Sequence, residues 1–117
     1  HSYPDKKTSG TRFYIHGRNI AAAVLFLIKN GKNGEKYNIT GEREVSNLEM
    51  AQIIADTMGK PLKYKMTDCH TLRPGHDLRY GLDGSKMFEM GWKIPVQFDE
   101  SIKNTILWTL ENQNWLE

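Results

Sequence analysis

Cysteine is nearly absent from this sequence, which excludes two ways of building a small protein. Cys69 is the single cysteine among 117 residues, so the chain has no disulfide framework and no cysteine-based metal site. Disulfides persist in oxidising compartments, whereas a lone thiol fits a reducing one. We therefore expect a cytoplasmic protein.

Long apolar runs and charge of one sign are also missing. The longest apolar run covers residues 20–28, whereas a membrane-spanning helix needs roughly 20 apolar residues. The 16 basic and 14 acidic residues are interspersed and give a net charge of +2, so no basic block indicates nucleic-acid binding. The composition is typical of one soluble globular domain. Because the sequence does not begin with Met and residues 1–11 are polar, we expect a piece of a longer polypeptide.

The motifs of several enzyme classes are missing as well. There is no H-x-x-x-H or C-x-x-C metal spacing, no G-x-S-x-G around a serine and no G-x-G-x-x-G loop. Tyr3 and Lys7 fit Y-x-x-x-K, but Pro4 argues against the helix that would aim both at a substrate. We interpret that match as chance, so the sequence supports neither metal binding nor hydrolysis by a serine nucleophile.

Polar chemistry is concentrated in residues 73–83, which read R-P-G-H-D-L-R-Y-G-L-D. Pro74 fixes φ and Gly75 can adopt φ > 0, so the chain should turn sharply and leave Arg73 and His76 free to face one point. A guanidinium beside an imidazole suits a phosphate or diphosphate, because both groups donate hydrogen bonds. The alternative is a solvated polar loop, which composition alone favours.

Periodicity and capping residues predict alternating strands and helices. Helices are predicted to begin after Asn19, Asp83 and Asp99, and Ser46 with Glu49 forms the clearest capping box. The predicted strands cover residues 11–16, 35–40 and 62–67, and the predicted helices cover 20–29, 47–58, 85–90 and 100–112. The first of these helices is apolar all round, so it should be covered on more than one side.

A set of polar residues from three segments forms a candidate site. Arg12 lies on the first strand, Asn47 follows Ser46 in the capping box, and Arg73 and His76 come from the polar stretch. Each residue also has a structural interpretation, as a strand cation, an N1 helix residue or a loop residue. The residues alone do not establish that these side chains converge.

Several motifs together resemble a known family. They are G-E-K-Y-N-I-T-G at 34–41, E-V-S-N-L-E at 44–49, R-P-G-H-D-L-R-Y-G-L-D at 73–83 and M-G-W at 90–92. In this order, the chain resembles the C-terminal part of NAD-dependent nucleotide-sugar dehydratases and epimerases, in the extended short-chain dehydrogenase/reductase family. The resemblance covers nearly all of residues 12–117.

The resemblance implies an α/β fold: a mixed α/β fragment of a Rossmann-type enzyme that lacks most of the NAD-binding domain. Residues 1–117 would form one C-terminal fragment, in which 12–45 border the missing Rossmann domain and 46–117 bind substrate. It also implies that a dTDP- or UDP-sugar is bound through its nucleoside diphosphate by Arg12, Asn47, Arg73 and His76.

The same resemblance implies NAD as the cofactor of a full-length sugar 4,6-dehydratase, whose glycine-rich loop, Y-x-x-x-K and acid pair are not in these residues. By itself the chain should therefore neither hold NAD nor catalyse dehydration. The implied partners are the missing Rossmann domain and a second copy in a homodimer. Two alternatives remain: a truncated, non-catalytic binding or self-association module, and a parent enzyme that is an epimerase or decarboxylase.

The chain departs from the family after Arg12. The family has Asp-Trp and then Val-x-Asp, whereas this sequence has Phe13-Tyr14 and later Gly17-Arg18-Asn19. Their absence affects two expectations: which hydrogen bonds form near Arg12, and to which subfamily the chain is assigned.

Overall fold

Short strands and longer helices alternate along the chain, which confirms the mixed α/β architecture. The computed structural model describes residues 2–5, 7–72, 74–75 and 77–116. The strands in these ranges are β1 (Thr11–Phe13), β2 (Glu44–Ser46) and β3 (Arg79–Tyr80). The helices are α1 (Gly17–Asn30), α2 (Asn47–Thr57), α3 (Cys69–Leu72), α4 (Ser85–Glu89) and α5 (Phe98–Glu111), followed by a 3₁₀-helix over Gln113–Leu116.

The strands form one three-stranded sheet in the order β2-β1-β3. The central strand β1 is antiparallel to β2 and parallel to β3. Arg12 pairs with Val45 on one side and with Tyr80 on the other. Directly paired residues share a face of a sheet, so these three side chains lie on the same face.

The main core lies between α1 and α4. Ala23 and Met87 are almost fully buried, and Trp92 packs against them with 7% of its surface exposed. The rings of Phe26 and Trp92 are 5.5 Å apart. Gly91 has a φ of 91°, which ends α4 and turns Trp92 back onto the core. The sequence prediction that Trp92 packs behind this helix is confirmed.

The outer side of α1 faces solvent in the described chain. Its apolar side chains are between 40% and 74% exposed: Ile20, Val24, Leu25 and Ile28. The expectation that this helix is covered on more than one side is therefore not met within the described residues. None of the described helices is both long and apolar enough to cross a membrane.

Two of the predicted strands are wrong, and the third is shorter than predicted. Residues 35–40 and 62–67 are described and form no strand, and only residues 11–13 of the first predicted strand pair in the sheet. A strand needs a hydrogen-bonded neighbour, which a sequence pattern cannot supply. In residues 35–40 the alternation reflects packing instead, because Tyr37 and Ile39 contact the core.

The predicted cap of α1 is also wrong. The helix begins at Gly17, and the Nδ1 of His16 accepts a hydrogen bond from the Arg18 N–H at 3.0 Å. Asn19 lies inside the first turn and is only 3% exposed. Its Nδ2 donates to the Val96 carbonyl at 2.8 Å, so a distant partner uses the amide that was expected to cap the helix.

The last helix begins one residue before Asp99, which was its predicted cap. It starts at Phe98, whose N–H donates to a carboxylate oxygen of Glu42 at 2.7 Å. Ile106, on the inner side of this helix, is buried with 7% of its surface exposed. Trp108 and Trp115 pack with ring centroids 6.1 Å apart.

Candidate functional site

Arg12 fastens the central strand to the segment that follows the R-P-G-H turn. Its Nη1 donates to the carbonyl of Thr11 at 2.7 Å and to that of Leu78 at 2.8 Å, while Nη2 donates to the carbonyl of Asp77 at 3.3 Å. The guanidinium also lies 4.2 Å from the ring centre of Tyr80, a distance typical of a cation–π contact. Together with the Thr11 N–H, which donates to the same Leu78 carbonyl at 2.9 Å, Arg12 holds the chain just after the polar turn.

Asn47 opens α2 and is held by hydrogen bonds at two of its atoms. The preceding Ser46 caps the helix, because its Oγ accepts from the Glu49 N–H at 3.0 Å. The Asn47 N–H donates to the Gly10 carbonyl at 2.8 Å, and its Oδ1 accepts from the Tyr14 hydroxyl at 2.8 Å. Among the described residues, no acceptor receives a hydrogen bond from Nδ2, which lies near Gly10.

Arg12 and Asn47 come together beside Gly10. A Cβ placed on Gly10 would lie 2.7 Å from the Leu78 carbonyl oxygen and 3.3 Å from the Asn47 Nδ2. The same Leu78 oxygen accepts from Arg12. The structure thus brings Arg12 and Asn47, predicted from different segments, to one place.

Arg73 and His76 lie outside the described residues. Between them in the sequence, Pro74 and Gly75 are exposed. Gly75 has a φ of 76°, which is the left-handed conformation predicted for the turn. Asp77, the residue after His76, is the one whose carbonyl accepts from Arg12.

The opposite face of the sheet carries an ion pair. Arg79 donates to both carboxylate oxygens of Glu44, at 2.7 and 3.0 Å, and the Thr11 hydroxyl donates to the same carboxylate. The hydrogen bond from Arg79, followed by the one from Thr11, lowers the pKa of Glu44 below its ordinary range. Arg79 is thus engaged in joining β2 to β3 across β1.

Sequence reasoning missed Tyr14, the residue that contacts the Asn47 side chain. One signal could have found it: Tyr14 stands two positions after Arg12, and such residues share a face of an extended chain. Tyr80 was named only as part of the polar stretch, although its ring covers the Arg12 guanidinium.

A mostly apolar cavity lies between the loop after β1 and the start of α5. Its volume is about 260 Å³, and a second cavity of about 410 Å³ adjoins it. Residues common to both are His16, Val96, Ser101 and Thr105. Tyr14 lines the first cavity and also reaches Asn47, so the cavity borders the candidate site. No group of three or more His, Cys, Asp or Glu among the described residues could hold a metal ion.

The described residues do not fit NAD. A dinucleotide-binding loop has glycines where a strand passes into a helix, which lets the backbone approach the pyrophosphate. Here the passage from β1 to α1 runs through Tyr14, Ile15 and His16. This passage has none of the glycines of a dinucleotide-binding loop before the helix begins, so no cofactor step can be derived for this chain.

No family model matches this sequence, but individual proteins do. A dTDP-glucose 4,6-dehydratase of Shigella flexneri is 35% identical over 112 residues, which cover 91% of this chain and 31% of the relative. A dTDP-D-glucose 4,6-dehydratase of Bos taurus is 36% identical over 110 residues, which cover 90% of this chain and 31% of the relative. The chain therefore spans about a third of the length of these relatives.

Solved structures agree with the sequence matches. A dTDP-glucose 4,6-dehydratase of Streptomyces venezuelae, with NAD and TYD bound, superposes with a TM-score of 0.78 at 33% identity, over 97% of this chain and 34% of that one. A UDP-glucose 4-epimerase of Bifidobacterium longum, in complex with NAD+ and UDP, gives 0.74 at 27% identity, over 96% of this chain and 33% of that one. Sequence and fold together show that the chain matches the C-terminal part of dTDP-glucose 4,6-dehydratase-like enzymes of the extended short-chain dehydrogenase/reductase family.

Proposed function

We propose that this chain is the nucleotide-sugar-binding part of an NAD-dependent sugar 4,6-dehydratase. In this proposal Arg12, Asn47, Arg73 and His76 bind the nucleoside diphosphate of a dTDP- or UDP-sugar. The observation that carries it is the approach of Arg12 and Asn47 beside the Leu78 carbonyl, immediately after the R-P-G-H turn. The ligands bound in the matched structures, TYD and UDP, support the same class of ligand.

The donors suit a diphosphate. Phosphate oxygens carry negative charge and accept hydrogen bonds only, so they need cationic or N–H donors. Arg73 would supply a forked cationic donor, His76 one further donor, and Asn47 the N–H groups of its Nδ2. Arg12 adds positive charge just after the turn, where it holds the carbonyls of residues 77 and 78. Asn47 also stands at the start of α2, where the helix dipole favours an anion.

Binding is the contribution that we assign to this chain. In the enzyme that we propose, oxidation at the sugar C4 and loss of water across C5 and C6 belong to NAD and to residues outside these 117. The chain would supply affinity for the nucleotide end and so position the sugar. Binding energy from a non-reacting part of a substrate is a general means of orienting its reacting part.

The partner that we propose for the outer side of α1 is a Rossmann-type nucleotide-binding domain. This side exposes Leu25 at 61% and Ile28 at 74%. Nearby in sequence, no backbone N–H of residues 36–40 donates to a backbone carbonyl of any described residue. An apolar helix face together with an unpaired, strand-like segment is the surface that an α/β sheet would cover.

Calorimetric titration with dTDP and with UDP tests the proposed function. The chain should bind at least one of them with a Kd of about a millimolar or tighter, and Arg73→Ala should abolish the signal. Arg18→Ala is the matched control, because Arg18 is exposed and its side chain donates to no described residue. The proposal fails if neither nucleotide binds in the millimolar range, or if Arg73→Ala binds like the unchanged chain.

A second candidate function is self-association, which the exposed side of α1 favours. Exposed apolar patches of this kind also mark contacts between copies of a protein. Light scattering over a range of concentrations would then show a dimer that Leu25→Glu returns to a monomer. A monomer at all concentrations would contradict this candidate and leave nucleotide binding unaffected.

A further inference from the structure

Tyr14 holds the side-chain amide of Asn47 in one orientation. The Tyr14 hydroxyl donates to Oδ1 at 2.8 Å, and the Asn47 backbone N–H is fixed by the Gly10 carbonyl at 2.8 Å. An amide has one acceptor end and one donor end. With the acceptor end turned toward Tyr14, the Nδ2 donors lie on the side of Gly10, where the Leu78 carbonyl and Arg12 are also found.

The backbone of Tyr14 is itself tightly held. A Cβ on Gly41 would lie 2.1 Å from the Tyr14 carbonyl oxygen and 2.9 Å from its carbonyl carbon. Contact this close is possible only because Gly41 has no side chain. The hydroxyl of Tyr14 therefore reaches Asn47 from a fixed base, which is what an orienting residue requires.

We propose that Tyr14 is a positioning residue for the diphosphate site, an inference that rests on the proposed function. Phosphate oxygens accept hydrogen bonds, so an amide that turned its Oδ1 toward them would repel the ligand. The Tyr14 hydroxyl keeps the donor end of Asn47 toward the ligand without touching the ligand itself. Its effect on affinity must therefore disappear when the Asn47 amide is removed.

A double-mutant cycle measured by calorimetric titration with UDP and dTDP tests this dependence. Tyr14→Phe removes only the hydroxyl and should weaken nucleotide binding about 3- to 10-fold, the worth of one hydrogen bond. In an Asn47→Ala background the same change should have no further effect. Tyr64→Phe is the control, because Tyr64 is 61% exposed and donates to no described residue, and it should bind like the unchanged chain.

The possible failures are distinguishable. If Tyr14→Phe binds as tightly as the unchanged chain, or weakens binding equally with and without Asn47, the positioning role is wrong and the proposed function stands. If the unchanged chain binds neither nucleotide, the proposed function fails and the inference fails with it. Should Tyr14→Phe not fold, the side-chain ¹⁵N resonance of the Asn47 amide in the unchanged chain decides. The proposal requires that its Nδ2 meets the nucleotide, so this resonance must shift as UDP or dTDP binds, and a resonance that stays in place while nucleotide binds overturns the proposal.

Discussion

Glycine at position 41 allows two backbone segments to touch beside the candidate site. A Cβ there would meet the Tyr14 carbonyl at 2.1 Å and the Phe13 carbonyl carbon at 3.2 Å. Both neighbours are backbone atoms, which cannot rotate away as the end of a flexible side chain can. The tight fit links the end of β1 to the loop that precedes β2.

We predict that Gly41→Ala lowers the free energy of unfolding by about 1–3 kcal/mol, the usual cost of overpacking. Urea denaturation measures the change. Gly17→Ala is the control, because Gly17 is helical and, apart from its chain neighbours and its own helix backbone, no atom of the described residues lies within 4 Å of a Cβ there. That control should leave stability unchanged or raise it by up to about 1 kcal/mol. Equal losses in the two variants would contradict the role given to Gly41.

Arg12→Lys should loosen the segment after the polar turn. Lysine keeps the charge but has no planar fork, so it cannot hold the carbonyls of Asp77 and Leu78 together. We predict at least a tenfold faster amide hydrogen exchange in residues 77–80, measured by mass spectrometry, and weaker nucleotide binding. Arg18→Lys should change neither. Unchanged exchange in the Arg12 variant would show that the segment is held by other contacts.

The site could be predicted from the sequence only in part. The family resemblance predicts Arg12 and Asn47 as site residues. The local turn chemistry predicts the positive φ of Gly75. The hydrogen bond between Tyr14 and Asn47 joins residues 33 positions apart. No local pattern reports such a contact, which depends on how the sheet sets β1 beside the start of α2.

The sequence predicts a helix end correctly where neighbouring residues form the cap. It fails where the expected capping side chain bonds to a residue far away in the sequence. Ser46 caps α2 as predicted, and Gly91 ends α4 with positive φ. The Asn19 amide instead bonds to Val96, 77 positions away. Residues 35–40 have the alternation of a strand, but a strand also needs a neighbour to pair with. In the function that we propose, a Rossmann-type domain would supply that neighbour.

The ion pair across the sheet predicts how stability depends on pH. The pKa of Glu44 is lowered from its ordinary 4.5 in the folded chain, chiefly by Arg79. A lowered folded pKa contributes stability that is present above the unfolded value and is lost as pH falls through the folded one. The stability difference between the unchanged chain and Glu44→Gln should therefore be constant above about pH 5 and shrink below pH 4.5.

Denaturant unfolding from pH 7 to pH 3 measures that difference. Glu89→Gln is the control, because Glu89 is exposed and forms no ion pair with a described residue. A difference between the unchanged chain and Glu44→Gln that stays constant down to pH 3 would contradict the role of the pair between Glu44 and Arg79.

A glutamate substitution should destabilise the chain on the inner side of α1 but not on its outer side. Ile28 is 74% exposed, so Ile28→Glu should change the free energy of unfolding by no more than about 0.5 kcal/mol. Ala23 is fully buried against Met87 and Trp92, so Ala23→Glu should prevent folding, because it buries an unpaired charge. Circular dichroism during thermal unfolding measures both. Strong destabilisation by Ile28→Glu would contradict this prediction, because it would show that other residues pack against the outer side of α1.

The described residues form a core and a sheet of their own, although the chain spans only about a third of the length of its relatives. The resemblance seen in the sequence is confirmed by the matched proteins and structures, and with it the fold class. The assignment of the binding residues remains a proposal, because it concerns side chains and a ligand rather than the course of the backbone.

The most direct test follows backbone amide resonances of the ¹⁵N-labelled chain while UDP or dTDP is added. The account predicts that shifts concentrate at residues 10–14, 46–48 and 73–80, and that Arg73→Ala removes them. Shifts confined to the cavity around His16, Val96 and Thr105, or no shifts up to several millimolar nucleotide, would contradict a diphosphate site at the R-P-G-H turn.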